Sequence, residues 1–480
     1  MLFNSLHFVF FLPAVFTLHW LLPFRFRWLL LLAASYYFYG SWNPLFALLL
    51  LGTTLVDWWA ALKIERAPDR RTEKRWLLLS IISNLAVLAA FKYSAFFYNT
   101  FAGISNAALE TQFTFVEDIL IPVGLSFYTF QSMSYTIDVF RGKAKAEPDA
   151  ARFALYVSFF PQLVAGPIER YNHLMPQFSI ERPLKHDLLA SGVRLMLWGF
   201  FKKIAIADRL AEFVDPVFAQ PGNFEGFTLL SAGFFFAVQV YCDFSGYSDI
   251  ATGCARLFGY DLMLNWKRPL LANSLRAFWK RNHISMTSWF RDYLYISLGG
   301  SQVARPRWLL NLFLTFVLSG LWHGARWTFV IWGALHGIVY MIETLLHERR
   351  KKRGGNFQPA FFLRFGGWLY LLSFHVITLI AFRAFSVQDL GTFYEKIFSF
   401  DWKVNASLIE LRGLNDLFPL LLALALIVFL FLKELNEEFA LAQRLPRYES
   451  VLRPVFYVLL FTALFLVGQF NANEFIYFHF

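Results

Sequence analysis

Long apolar runs recur from one end of this chain to the other, and most ionisable residues fall in the short stretches between them. The runs lie near residues 5–22, 28–40, 44–62, 76–98, 117–139, 188–210, 228–258, 309–322, 327–346, 367–382, 417–432 and 454–470. A helix crossing the hydrocarbon of a bilayer needs about 20 apolar residues. Several runs are shorter, so half-helices or shared crossings are expected among them. Composition agrees: 57% of residues are hydrophobic and 16% charged, with 59 Phe and 16 Trp in 480. Ordinary soluble domains carry about 45–50% apolar and about 25% charged residues. The expected fold is an all-α polytopic membrane bundle of roughly 10–12 transmembrane helices with re-entrant and interfacial pieces.

A formal charge of +11 raises the question of nucleic acid. The basic residues instead cluster in loops between runs, as in 63–75 and Arg349-Arg-Lys-Lys-Arg353. That is the positive-inside pattern, which orients a membrane protein and implies no polyanion. With 63–75 in the cytoplasm, alternation also places Arg25, Arg27, 141–152, 260–308 and 347–356 inside. The segments near 99–114, 212–225 and 385–415 then lie outside. The scheme requires 153–187 to dip in and return, and Pro161, Gly166 and Pro167 break that stretch. Both termini then face out. The apolar start has no basic leader and reads as a first span, not a cleaved signal. Two cysteines, Cys242 and Cys254, allow no zinc spacing or disulfide framework. No repeat or low-complexity linker divides the chain, so 1–480 is read as one membrane-embedded domain.

The segment 260–308 interleaves Arg276, Lys280 and Arg291 with Trp266, Phe278, Trp279 and Trp289. That mixture suits a helix lying in the cytoplasmic membrane interface, in contact with membrane lipid. It also carries His283 and the neighbouring pair Arg291 and Asp292.

An ionisable group at mid-membrane costs about 2.5–3.5 kcal/mol on insertion scales, so each needs a reason. His323 stands at the end of the 309–322 run, flanked by Gly320 and Gly324, which leave room for a turn and for close approach of a substrate. An imidazole there is a candidate general base, able to take and return a proton near neutrality. The bland alternative is a core histidine bonded to a carbonyl, and for His336 on the returning span that alternative leads. Tyr241-Cys-Asp-Phe-Ser-Gly-Tyr-Ser-Asp249 places two carboxylates and several hydroxyls in an apolar run, with Asp243 and Ser245 as candidate supporting groups. The sequence contains no Walker A, GxSxG, HExxH or CxxC motif, which removes P-loop ATPase, lipase-type hydrolase and zincin readings.

Several motifs in order carry a resemblance. They are Met1-Leu-Phe-Asn-Ser5, Tyr37-Phe-Tyr-Gly40, Ile121-Pro-Val-Gly-Leu-Ser-Phe-Tyr128, Tyr135-Thr-Ile-Asp-Val-Phe-Arg-Gly142 and Phe160-Pro-Gln-Leu-Val-Ala-Gly-Pro167, then the 241–249 stretch, His283-Ile-Ser285, Leu298-Gly-Gly300, Leu321-Trp-His-Gly324 and the Phe-Tyr-rich tail at 475–480. Together they resemble the membrane-bound O-acyltransferase family, in its alginate O-acetylation branch, over almost the whole chain. The resemblance implies a bacterial inner-membrane enzyme that takes an acyl group from a cytoplasmic donor, usually acetyl-coenzyme A, with no tightly bound cofactor. It also implies an extracytoplasmic acyl-accepting protein as partner and an exported polysaccharide as final acceptor. The family's essential histidine matches His323, and its second histidine matches His283. The family usually has Trp directly before that second histidine, where this chain has Asn282.

The chemistry expected is hydroxyl attack on a thioester carbonyl, with His323 removing the proton and Trp322, Asn265 and Ser319 as candidate oxyanion donors. Arg276 and Lys280 are the candidate donor-binding cations. Peptidoglycan O-acetylation and D-alanylation of teichoic acid would use the same chemistry. A proton-coupled transporter and a scaffold subunit of an export complex are the readings from other classes, and loss of activity on replacing His323 separates them.

Overall fold

Chain surrounded by lipid must satisfy its backbone N–H and C=O groups internally, and helices do this within one segment. The computed structural model describes residues 1–109, 113, 114, 116, 121–352, 361–400, 402–414, 417–470, 475 and 476, and its regular elements there are all helical. Residues 117–120 of one expected span, Arg353 of the basic run and 477–480 of the tail lie outside the described residues.

Seven described helices are long and apolar enough to cross a bilayer: Pro44–Glu65, Arg70–Ala108, Gly226–Leu257, Trp327–Lys352, Phe362–Arg383, Leu417–Phe439 and Ser450–Val467. Leu6–Leu21 is apolar but shorter. The other expected spans are helices too, yet they miss on length or polarity. Leu125–Phe140 and His186–Phe200 have 16 and 15 residues. Arg305–His323 opens with Arg305 and Arg307. Helix starts follow local chemistry: Asp69 caps the Arg70 helix through the N–H groups of Arg71 and Thr72, and Asn43 caps the next-earlier one ahead of Pro44 at N1.

The chain divides into two compact units, residues 1–195 with 250–263, and residues 196–249 with 264 onward. In the first, Asp57 on Pro44–Glu65 is fully buried and accepts hydrogen bonds from Ser80, Asn84 and Ser132 on two neighbouring helices. A carboxylate surrounded by donors in this way is a structural tie between helices. The broken stretch after Ala150–Ser158 runs through turns to residue 169 and is almost entirely buried. Protein covers its irregular backbone, as such a break at membrane depth requires. Gly124 opens the Leu125 helix at φ 77°, where a Cβ would lie 2.9 Å from the Leu163 carbonyl oxygen.

The second unit contains both candidate histidines. Arg305–His323 and Trp327–Lys352 form a tight helical hairpin. A Cβ on Gly320 would lie 2.3 Å from the Phe329 carbonyl oxygen, and one on Gly333 would lie 2.5 Å from that of Phe316. The ring of Phe329 similarly fills the space beside Gly324. These glycines let two helices approach closely, which corrects the expectation that Gly320 and Gly324 make room for substrate.

A second correction concerns 260–308. It is not one interfacial helix but a run of short turns: Pro269–Leu271, Leu275–Trp279, Ile284–Trp289 and the π-turn Phe290–Tyr295. Phe278, Trp279, Met286, Trp289 and Phe290 are buried. These aromatic residues pack into the protein.

Candidate active site

His323 is the last residue of its helix, with Gly324 leaving the helix in extended conformation. Its imidazole is buried among Trp322, Trp332 and Phe382, with ring centroids 4.9, 5.3 and 5.2 Å away. The ring of His283 lies 6.4 Å from it, centroid to centroid. The structure thus brings into one buried site two histidines that stand 40 residues apart in the sequence.

His283 occupies left-handed backbone, at φ 44°, a conformation that costs a non-glycine residue about 1–3 kcal/mol and is held only by its surroundings. Asn265 holds it. Its backbone carbonyl accepts from the Ile284 N–H at 2.9 Å, and its side-chain Oδ1 accepts from the Ser285 N–H at 3.1 Å and hydroxyl at 2.9 Å. Because a backbone N–H can only donate, that side-chain atom is the oxygen. The His283 Nδ1, 3.2 Å from the same oxygen, therefore carries the proton. The neutral ring then presents Nε2 as its basic nitrogen. Burial pushes the imidazole down from its ordinary 6.5 to about 3, so it is neutral near pH 7. Phe244 packs edge-on against it at 4.7 Å, Trp266 stacks at 5.8 Å, and Trp322 lies 6.1 Å away. Trp266 and Trp322 thus supply two indole neighbours to His283.

The remaining candidates separate by location. Asp243 and Ser245 bond to two buried lysines. Asp243 accepts from Lys203 Nζ at 2.6 Å and from the Ile476 N–H at 2.9 Å, and Ser245 accepts from Lys202 Nζ at 2.8 Å. Lys203 also pairs with Asp208 at 2.9 Å, and Lys202 with Asp249 at 2.7 Å. Both lysines sit on the buried π-turn Phe201–Ala207. The sequence reading missed them, although two adjacent lysines within the 188–210 run, matched by two acids in 241–249, were the available signal. Arg291 donates to Asp292, its chain neighbour, at 2.7 Å and is largely exposed. His336 bonds to Thr378 at 3.1 Å. Arg276 and Lys280 bear electrostatically on His347, together with Arg350 and Lys351, so they belong to a basic patch at the end of the Trp327–Lys352 helix. The described residues hold no cluster of three or more metal-ligating side chains.

Two buried imidazoles, one with an assigned tautomer, in an aromatic pocket can manage a proton during attack on a carbonyl. The sequence profile of the membrane-bound O-acyltransferase family matches residues 68–388. The chain belongs to the membrane-bound O-acyltransferase family. This acyltransferase is 41% identical over 408 residues to "Probable alginate O-acetylase AlgI" of Pseudomonas aeruginosa, covering 84% of this chain and 76% of the relative. It is 32% identical over 423 residues to the peptidoglycan O-acetyltransferase of Helicobacter pylori, covering 81% and 78%. With the teichoic acid D-alanyltransferase of Bacillus subtilis it shares 26% over 242 residues, covering 48% and 60%. With seven long apolar helices among its described residues, this O-acyltransferase is a multi-pass membrane protein.

Proposed function

We propose that this acyltransferase takes an acetyl group from acetyl-coenzyme A at the cytoplasmic side of a bacterial inner membrane and delivers it outward, for O-acetylation of an exported polysaccharide of the alginate type. The carrying observation is the buried pair His323 and His283. An acceptor hydroxyl attacks the thioester carbonyl carbon while His323 takes its proton. The carbon–sulfur bond breaks, and the departing thiolate recovers that proton, so an ester and free coenzyme A leave. His283, neutral and oriented by Asn265, stands beside the reacting centre and stabilises the charge that develops on His323. The basic patch with Arg276 and Lys280 suits the donor's phosphates. The acceptor class follows the names of the relatives at the higher identities, and an extracytoplasmic protein would receive the group before the polymer does.

The test is transfer of radiolabelled acetyl from acetyl-coenzyme A in membrane vesicles with the extracytoplasmic accepting protein and the polymer present. His323→Ala should reduce it at least a hundredfold at unchanged protein level, since losing a general base costs about 10²–10⁴-fold. Retention of more than a tenth of the rate would remove His323 from that role.

A further inference from the structure

Three buried ring nitrogens near His323 have no hydrogen-bond partner among the described residues: the indole Nε1 of Trp279, that of Trp332, and Nδ1 of His336. Their rings touch one another, at 5.5 Å for Trp279 and His336, 6.0 Å for Trp279 and Trp332, and 4.6 Å for Trp332 and His336. Trp332 in turn packs perpendicular to His323 at 5.3 Å. Each indole is a donor only. The role of His336 follows from Thr378, whose hydroxyl lies 2.9 Å from the Phe374 carbonyl and 3.2 Å from that of His375. Its single proton goes to a carbonyl, so its oxygen accepts from His336 Nε2, 3.1 Å away. In the neutral ring Nδ1 is then an acceptor. Two donors and one acceptor left unpaired in an aromatic interior cost free energy that phenylalanines there would not.

A secondary amide matches this set, because its carbonyl accepts two hydrogen bonds and its N–H donates one. We propose that Trp279, Trp332 and His336 form a subsite for the amide nearest the sulfur in the donor's pantetheine arm. The position fits a route. Trp279 closes the short helix that carries Arg276, and from His347 beside the basic patch back to Trp332 the helix rises about 22 Å at 1.5 Å per residue. The phosphates would rest at the patch, the arm would run past Trp279 and His336, and the thioester would reach His323. This rests on the donor proposed above.

Three donors test it with purified protein in lipid nanodiscs and a hydroxyl acceptor in excess: acetyl-coenzyme A, the acetyl thioester of N-acetylcysteamine, and S-pentyl thioacetate, which has the same length and no amide. Thiol release gives kcat/KM, and equilibrium binding is read on the His323→Ala background, where transfer does not consume the probe. Trp279→Phe and Trp332→Phe keep the ring and remove the N–H. Each should lower the preference for the amide-bearing thioester over the pentyl one by about 3- to 10-fold in both readouts, the worth of one hydrogen bond. If Trp332→Phe fails to fold, Trp279→Phe carries the test. An unchanged preference in the folded variants means that an ordered water alone occupies the site, and overturns the subsite. Failure of the unmodified protein to release thiol from acetyl-coenzyme A would instead overturn the proposed function.

Discussion

His283 shows how much a single side chain can owe to another far from it in sequence. Left-handed backbone aims its ring, the Asn265 oxygen selects its tautomer, and three aromatic neighbours keep it dry. Removing the oxygen leaves the ring able to hold its proton on either nitrogen. Asn265→Ala is therefore expected to lower kcat by about 10–100-fold, the usual cost of losing an orienting partner. The KM for acetyl-coenzyme A should move little, because Asn265 acts through the histidine it orients. A rise in KM at constant kcat would place Asn265 in donor binding instead. His323 was visible in the sequence as an imidazole ending an apolar run. Asn265 was named only among candidate oxyanion donors, and its grip on His283 across 18 residues follows no sequence periodicity.

At the scale of elements, the hairpin Arg305–His323 and Trp327–Lys352 sets the depth and angle of His323. Its closest approach is where Gly320 meets Phe329 and Gly333. Gly320→Ala adds a methyl 2.3 Å from a backbone oxygen, which cannot swing away as a side chain could. The helices must part, at a cost of about 1–3 kcal/mol for overpacking. The thermal midpoint in detergent should fall, and activity should fall with it, as His323 is carried on the displaced helix. An unchanged midpoint would mean that the hairpin is looser than its geometry states. The sequence located both helices to within a few residues, since apolar length and composition encode a helix. It did not reveal that the glycines serve helix contact. Nor did it reveal that 260–308 folds into short turns, because alternation of aromatic and basic residues suits an interfacial helix and a buried coil equally well.

Across the whole molecule, the basic loops argue for a single orientation. Arg71 and Lys351 are exposed at positions expected in the cytoplasm, and Gln220 is exposed at one expected outside. In intact cells, Gln220→Cys should react with an impermeant thiol reagent, while Arg71→Cys and Lys351→Cys should react only after permeabilisation. Labelling of the latter two from outside would reverse the direction of transfer. The buried Lys203 is held to Asp243 and Asp208 across 40 and 5 positions, and Tyr241 donates to Glu434 across 193. Such pairings keep costly charges inside an apolar protein only because each finds its partner.

By itself the sequence determined the membrane class, the helical fold, most of the helix positions, the family resemblance and the prominence of His323. Each of these is written in local composition, in the length of an apolar run, or in a contiguous motif. Tertiary structure alone decided that His283 stands beside His323, that Asp243 pairs with Lys203, and that the ring of Trp279 packs against those of Trp332 and His336. Those relations join residues from separate helices and turns, and packing selects such partners by shape and hydrogen-bond need, which no spacing along a single chain records.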